Sequence, residues 1–381
     1  MAAFWIAVIA LFAWRVDWDE LRDRTSSDEA RVPAPPPAPD APPAARPDQL
    51  IGVQLHPFFD DQTPETVNRE LDLARSAGAN SVRVDVNWSS LQIDGPEPDP
   101  DYVARVDQVV DGARQRGLKV VVTMLSTPCW ASRAPESIKQ NCQGRWWERG
   151  VTEYGPEDPT RFADAAAFVA ARWGQDLAAL EIWNEPNYEL FLRSDDPARE
   201  YGRILRAAYP LIKRERPELP VLAASFALAD VKFLKQLYED GKIAGNYDAI
   251  AWHPYSHPYS PRARKGRAGV ESSFRDGAAA LRKVMRDNGD EKAELWATEA
   301  GATTCTEGVD ERCVDAETQA RWVREYVELS REMPWLRALF VYNLRDKGTD
   351  RDDVEAGFGL VRRDFSPKPA FESFRAAVAA R

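Results

Sequence analysis

Eight short apolar segments alternate with eight amphipathic stretches from about residue 50 to the end of the chain, and no other feature of the sequence restricts the fold as much. The apolar segments are rich in β-branched residues, which is typical of strands buried on both faces of a parallel sheet. We predict strands at 51–55, 81–86, 119–124, 178–183, 220–225, 247–252, 294–298 and 338–342. We predict helices at 64–77, 101–117, 159–173, 197–216, 230–240, 272–288, 315–332 and 369–380.

Strict alternation of strands and helices indicates a parallel α/β fold, and eight units favour a closed (β/α)8 barrel. The competing fold is an open, doubly wound sheet, which typically begins with a glycine-rich turn of the G-x-G-x-x-G type. No such motif occurs in the sequence. We therefore predict one catalytic domain over residues 49–381, with its functional site at the carboxyl ends of the strands.

The region before the barrel has two parts. Residues 2–14 are uniformly apolar, too few for the roughly 20 residues of a spanning helix but suited to the core of a signal peptide. A basic leader and a small-residue cleavage site are missing, so we predict either a signal peptide or an uncleaved signal-anchor at 1–14, a buried helix being the alternative. We predict a disordered proline-rich linker over residues 15–48, because eight of the fifteen residues 33–47 are proline. We expect a secreted or surface-tethered protein.

Charge excludes two classes of partner. The chain has 50 Lys and Arg against 61 Asp and Glu, a net charge of −11. Nucleic acids and anionic lipid surfaces bind clusters of Lys and Arg, so we expect neither as a partner. Separately, we expect the protein to be a monomer.

Two glutamates end the fourth and seventh predicted strands. Glu185 lies in the sequence EIWNEPN (181–187) and Glu299 in ELWATEAG (294–301). These strands face one another across a closed barrel, so both carboxyl groups would enter one cleft. Glycoside hydrolysis requires such a pair, one carboxyl protonated and the other ionised. The alternative for either glutamate alone is a salt bridge at a strand end.

The sequences WNEP at 183–186 and W-x-T-E at 296–299 resemble glycoside hydrolase clan A, the retaining barrel enzymes. The further sequences AWHPYS (251–256), FGLV (358–361) and SPKPAF (366–371) are most similar to family 39, to family 5 and to bacterial exopolysaccharide endoglycosidases. The resemblance implies that Glu185 is the general acid/base, that Glu299 is the nucleophile and that Asn184 binds the sugar 2-hydroxyl.

The same resemblance implies roles for other strand residues. Arg83 would lie beneath the cleft and keep Glu299 ionised, while Tyr255 would orient Glu299 and His253 would contact the sugar. The chain departs from the clan at the end of the eighth strand, where many members have a tryptophan platform for the sugar. Tyr342, or another aromatic residue, would have to serve there.

The positions of the histidines in the sequence do not favour a metal site. His253 and His257 are each followed by proline, which prevents the helical spacing that would direct both side chains at one ion. We therefore expect neither a metal nor an organic cofactor. We expect His56, at the end of the first strand, to bind substrate or a catalytic partner; the alternative is a structural polar residue.

Tryptophans are concentrated in the loops after the second and third strands, at Trp88, Trp130, Trp146 and Trp147. Aromatic faces stack on the apolar faces of sugar rings, so we expect several sugar-binding subsites on this side. The alternative is that some of these rings close the cores of the loops.

Four cysteines allow three disulfide pairings. Pairing of neighbours, Cys129 with Cys142 and Cys305 with Cys313, would constrain two loops on the substrate side.

The sequence thus predicts a retaining β-glycoside hydrolase that acts on a carbohydrate polymer or oligosaccharide, endo-acting in our interpretation. The competing hypothesis is a catalytically weak or inactive glycan-binding barrel at the cell surface.

Overall fold

The computed structural model describes residues 48–59 and 61–380 and forms a closed barrel of eight parallel strands in the order β1 to β8. The signal segment and nearly all of the linker predicted from the sequence lie outside these residues. The strands are β1 Leu50–Leu55, β2 Ser81–Asn87, β3 Lys119–Leu125, β4 Leu177–Ile182, β5 Val221–Ala227, β6 Ala249–His253, β7 Glu294–Ala300 and β8 Leu336–Val341.

Eight long helices of the described chain follow the strands one by one. They are α1 Pro64–Ser76, α2 Pro100–Gln115, α3 Pro159–Trp173, α4 Pro197–Glu215, α5 Val231–Glu239, α6 Phe274–Asp287, α7 Ala316–Arg331 and α8 Pro369–Ala379. Every predicted strand and helix is confirmed to within two residues at each end. Shorter helices at Trp88–Leu91, Glu136–Lys139 and Lys265–Ala268 lie in the loops.

Local sequence explains where the helices begin. The first four start with proline at the first helical position, where the missing N–H costs no hydrogen bond. Each is preceded by a capping residue, Thr63, Asp99, Asp158 or Asp196, whose side chain accepts a hydrogen bond from the first turn. None of the helices in the described part of the chain has the length and apolar character needed to cross a membrane.

The barrel interior changes character along its axis. Its lower part is an apolar cluster made of Leu50, Val121, Ala179, Leu222, Ala249, Ala251, Trp296, Ala338 and Phe340. The next inward positions toward the carboxyl ends are polar and buried, at Gln54, Arg83, Thr123, Glu181 and His253. Strand alternation produces this arrangement, because residues two apart point to the same side. The polar layer forms the floor of the barrel mouth.

Two of the register shifts between neighbouring strands interrupt that alternation near the carboxyl ends. The register between β5 and β6 shifts between Ala224 and Phe226, and Ala224 and Ser225 have positive φ angles. The register between β7 and β8 shifts between Ala297 and Ala300. A bulge inserts one residue and redirects the side chains that follow it. Both bulges lie at the end of the barrel that contains the predicted site.

Both disulfides between neighbouring cysteines are present. Cys129 is bonded to Cys142 in the loop after β3, and Cys305 is bonded to Cys313 in the loop after β7. Each bond closes a short loop on the catalytic face, which lowers the entropy of the open chain in that region.

Candidate active site

Glu185 reaches the mouth through a distorted turn after β4. Trp183 and Glu185 have φ angles of 70° and 40°, in the left-handed region that non-glycine residues rarely adopt. Two backbone hydrogen bonds hold the turn: Trp183 N–H donates to the Met124 carbonyl on β3, and Glu185 N–H donates to the Ser225 carbonyl on β5. The backbone is thereby tied to both neighbouring strands, and the Glu185 side chain is about 12% exposed at the mouth.

Glu299 owes its direction to the bulge in β7. Trp296 belongs to the apolar cluster inside the barrel, whereas Ala297 packs in the layer between barrel and helices. Simple alternation would place Glu299 with Ala297, facing the helices. The register shift between Ala297 and Ala300 turns Glu299 back toward the mouth, where its side chain is about 11% exposed.

The two carboxyl groups are close together. One oxygen each of Glu185 and Glu299 and one ring nitrogen of His253 all lie within 4.8 Å of one another. Both carboxyl groups are almost completely buried. A short separation of this kind leaves room for one anomeric carbon but not for an additional water between the groups.

Arg83 on β2 lies beneath the pair and is fully buried. Its guanidinium donates to Glu299 Oε1 at 2.7 Å, to Glu181 Oε2 at 2.7 Å and to Gln54 Oε1 at 2.8 Å. It also donates to Asn184 Oδ1 at 3.1 Å. One cation thus fixes the positions of the nucleophile candidate and of Asn184. Because Arg83 is buried, it acts on the carboxylate and is not a sugar contact.

His253 is also fully buried, which corrects the prediction that it contacts the sugar. Its two ring nitrogens are occupied: Nδ1 lies 2.7 Å from Glu185 Oε1, and Nε2 lies 3.1 Å from Ser225 Oγ. The physical reason is that His253 lies two residues after Ala251, at the next inward position and below the opening of the mouth. His253 therefore acts on Glu185.

Glu185 and His253 share a hydrogen bond, and each shifts the pKa of the other. Burial raises the pKa of Glu185; the nearby Glu299 carboxylate adds to the rise, and His253 and Arg83 oppose it. Burial opposes the charged form of His253, but the carboxylates of Glu299 and Glu185 outweigh this effect and raise the pKa of His253. A raised pKa favours the protonated form of Glu185, which is the form that a general acid needs.

Tyr255 donates its hydroxyl to Glu299 Oε2 at 2.9 Å. Burial and the nearby Glu299 carboxylate raise the pKa of Tyr255 well above its ordinary value, so the phenol remains a donor. Both oxygens of Glu299 thus accept a hydrogen bond from a fixed donor. Tyr342 packs beside Tyr255 with ring centroids 6.5 Å apart, and only 8% of Tyr342 is exposed.

Not all the predicted aromatic contacts reach the mouth. Trp88 is fully buried and packs edge-on against Trp130 and Phe162, so the prediction that Trp88 stacks on a sugar is wrong. Trp146 packs in the loop core behind the Cys129–Cys142 disulfide. Trp130 and Trp147 remain partly exposed.

His56 lies beside the mouth, with its ring stacked on Phe59 and edge-on to Tyr342. Burial, together with the positive charges of Lys347 and Arg83, lowers the pKa of His56 well below its ordinary value. His56 is therefore neutral at physiological pH.

Glu181, Gln54 and Asp85 are polar residues of the site that the sequence-based prediction does not include. Glu181 on β4 is fully buried, and its pKa is lowered because Arg83 and His253 outweigh the cost of burial. Gln54 and Asp85 lie on β1 and β2, joined by a hydrogen bond of 3.1 Å from Gln54 Nε2 to Asp85 Oδ2. The signal for all three was strand alternation, since each is two residues from another inward position.

Glu185, His253 and Glu299 are also the residues that could hold a metal ion within the described chain. The arrangement does not fit an ion well, because the Arg83 guanidinium and the Tyr255 hydroxyl already bond to the two Glu299 oxygens. The expectation of cofactor-free chemistry stays a prediction.

Comparison with known proteins agrees with this site. Residues 40–199 match the model of the cellulase family, glycosyl hydrolase family 5, a segment that includes Glu185 but not Glu299. No curated protein matches the sequence significantly.

Similar solved structures include a family 39 glycoside hydrolase from the gut symbiont Bacteroides cellulosilyticus WH2, at a TM-score of 0.68 and 22% identity. That match covers 87% of this chain but 64% of the other, so the chain spans less than two thirds of that relative. The hyperthermophilic β-glucosidase of Pyrococcus furiosus matches at a TM-score of 0.62 and 14% identity, covering 88% and 96% of the two chains. A GH5_18 protein from Streptomyces cattleya, solved with GlcNAc, matches at 0.58 and 18% identity, covering 88% and 80%.

Identities this low show the fold alone, whereas the family-model match and the paired carboxyl groups concern the site. The chain is thus a closed (β/α)8 barrel whose residues 40–199 are similar to glycosyl hydrolase family 5 and whose fold is similar to those of the family 39 and GH5_18 structures.

Proposed function

We propose that this protein hydrolyses β-glycosidic bonds with retention of configuration, by double displacement at Glu185 and Glu299. The observation that supports this most strongly is the closeness of the two carboxyl groups, with an oxygen of each within 4.8 Å. In retaining enzymes the groups are about 5–5.5 Å apart, whereas inverting enzymes leave additional room for a water.

The chemistry divides between the two glutamates according to their surroundings. Glu185, whose pKa is raised by burial, donates its proton to the glycosidic oxygen as the bond breaks. Glu299, held by Arg83 and Tyr255, attacks the anomeric carbon and forms a covalent glycosyl-enzyme. Glu185 then removes a proton from the incoming water, and that water releases the sugar.

We further propose that the substrate is a β-linked polymer or oligosaccharide cut internally. Partly exposed aromatic rings at Trp130 and Trp147 support this, as does Tyr188, which is 46% exposed three residues after Glu185. Rings at several places in the loops that follow the strands can stack on several successive sugars.

Export to the cell surface is likewise our proposal. The apolar segment 2–14 and the proline-rich linker support it. So does the pairing of all four cysteines, because disulfides persist in oxidising compartments. The N-terminal segment would then either direct secretion or tether the barrel.

Replacing Glu185 tests the acid role. We expect Glu185→Ala to lower kcat/KM on β-linked polysaccharides by roughly 10²–10⁴-fold, the usual contribution of general acid catalysis. The loss should be much smaller on 2,4-dinitrophenyl β-glycosides, because that leaving group departs without protonation. A panel of polysaccharides and aryl β-glycosides, assayed with wild type and variant, measures both effects. Equal losses on both kinds of substrate would contradict the assignment.

The pH profile tests the coupling between His253 and Glu185. The general acid must be protonated, so activity falls as the pH rises through the pKa of Glu185. His253 opposes the rise in that pKa, and its removal therefore raises the pKa further. We expect His253→Asn to move the basic limb of kcat/KM upward by about one pH unit.

The profile is recorded on one aryl β-glycoside for both proteins, together with kcat. Asp111 is exposed on the outer helix α2, so the control Asp111→Asn should leave the basic limb of the kcat/KM profile at the wild-type pH. An unchanged or lower limb in His253→Asn would contradict the coupling.

A further inference from the structure

A third carboxyl group, that of Asp85, opens onto the mouth and has no part in the double displacement. Asp85 lies on β2, two residues after Arg83 and therefore on the same inward face. Its side chain is 28% exposed, compared with 12% for Glu185, 11% for Glu299 and none for Glu181. Asp85 is thus the carboxyl of the floor that a ligand reaches most easily.

The surroundings of Asp85 hold it in place but leave most of its capacity to accept hydrogen bonds unused. Gln54 Nε2 donates to Oδ2, and Arg83 Nη1 remains 3.7 Å from Oδ1. His56 Nδ1 also lies 3.7 Å away, and it brings no charge because its pKa is lowered. A carboxylate can accept about four hydrogen bonds. Among the described residues, Gln54 is the one that donates to it.

The position of Asp85 indicates which part of a substrate it would meet. Glu185, which protonates the leaving oxygen, lies after β4, and Glu299 lies after β7. The sugar that keeps the anomeric carbon must extend from Glu299 away from the leaving group. Asp85 on β2, His56 after β1 and Tyr342 after β8 line that side of the mouth.

We propose that Asp85 binds hydroxyl groups of the sugar whose bond is broken and excludes sugars that carry a carboxylate from this position. The inference rests on the proposed function and adds to it a class of substrate, neutral or amino sugars in preference to uronic acids.

The charge balance of the floor supports this selectivity. Arg83 is a single cation shared by the carboxylates of Glu181 and Glu299, with Asp85 nearby. Lys347 is the next cation on this side, and its ammonium lies 3.7 Å from Glu355 and over the Tyr342 ring. A uronic acid would add a negative charge to a floor that is already negative.

Burial raises the pKa of Asp85 to about 6; Arg83 and Lys347 oppose the rise, and Glu299 and Glu181 add to it. The group therefore accepts hydrogen bonds as a carboxylate at neutral pH, where the test is made.

Hydrolysis of 4-nitrophenyl β-glucoside, β-galactoside, β-xyloside, β-glucosaminide and β-glucuronide at pH 7 tests the proposal. On the preferred neutral sugar, Asp85→Asn should raise KM roughly tenfold or more and change kcat much less, because a hydrogen bond to a charged group is lost. The preference for glucoside over glucuronide should fall by a similar factor. Asp85→Glu, which keeps the charge, should raise KM but keep the preference, and Asp111→Asn should change neither.

Calorimetric binding of the same glycosides to Glu299→Gln, with and without Asp85→Asn, separates this proposal from the proposed function. If wild type hydrolyses neither these glycosides nor the polysaccharides of the panel but Asp85→Asn weakens binding, the proposed function fails and the role of Asp85 stands. If hydrolysis occurs and Asp85→Asn changes neither KM nor the preference, the role of Asp85 is overturned. If neither the glycosides nor the polysaccharides are hydrolysed or bound, both proposals are wrong.

Discussion

Glu299→Gln is expected to lower kcat by a factor on the order of 10⁴ or more, the largest effect of any single change in this chain. An amide can still accept from Arg83, so the variant should fold, but it cannot form the covalent bond to the anomeric carbon. The measurement is kcat on the best aryl β-glycoside of the panel, with Asp111→Asn as the control. Near-wild-type turnover by Glu299→Gln would refute the nucleophile assignment.

A mechanism-based label gives the same prediction a second readout. A 2-deoxy-2-fluoro β-glycoside with a good leaving group should inactivate the wild-type enzyme and add the mass of one fluoro-sugar to the peptide that contains Glu299. The fluorine slows release of the intermediate more than its formation, so the covalent species accumulates. A label on Glu185 instead would reverse the two roles, and an inert protein would favour the non-catalytic, glycan-binding hypothesis.

Arg83→Met is expected to destabilise the protein by about 3–5 kcal/mol, the cost of removing one partner from a buried ion pair. The reason is that the carboxylate of Glu181 is fully buried, and removing Arg83 takes away the positive charge that compensates it. Urea unfolding of the barrel measures the difference. Arg83→Met/Glu181→Gln should recover a large part of the loss, because the isolated charge is gone.

The pH dependence of this loss has a definite sign. In wild type the pKa of Glu181 is lowered, so Glu181 stabilises the fold above its ordinary pKa of about 4.3 and loses that contribution as the pH falls. Without Arg83, burial raises the pKa instead, and the folded variant is penalised as the pH rises above about 4.3. The difference between the proteins should therefore be larger at pH 7 than at pH 4. A difference independent of pH would mean that packing, and not charge, is lost.

Local patterns in the sequence predicted the barrel well because strands and helices are encoded by nearest neighbours. Buried β-branched runs, N-terminal prolines and capping residues each act within a few positions of the element that they define. Glu185 and Glu299 are brought together by the closed order of the strands, and this also follows from an alternating pattern once the number of units is known.

The burial and contacts of individual side chains could be predicted from the sequence less well than the barrel. The sequence predicts Trp88 and His253 as sugar contacts, yet both are fully buried, because depth along the barrel axis depends on how each loop folds over its strand. Glu181 and Asp85 both lie within predicted strands. Their importance depends on Arg83, which is distant in sequence from Glu181 and contacts it only through the closed sheet.

The bulge in β7 has a consequence for how such barrels gain or lose activity. Its one extra residue, between Ala297 and Ala300, decides whether Glu299 faces the mouth or the surrounding helices. A single-codon deletion or insertion in this short segment could thus remove the nucleophile from the site without replacing any residue that takes part in the chemistry. Alignments of distant relatives that count only matching glutamates would score such a protein as intact, so gaps within the seventh strand should be examined before activity is assigned.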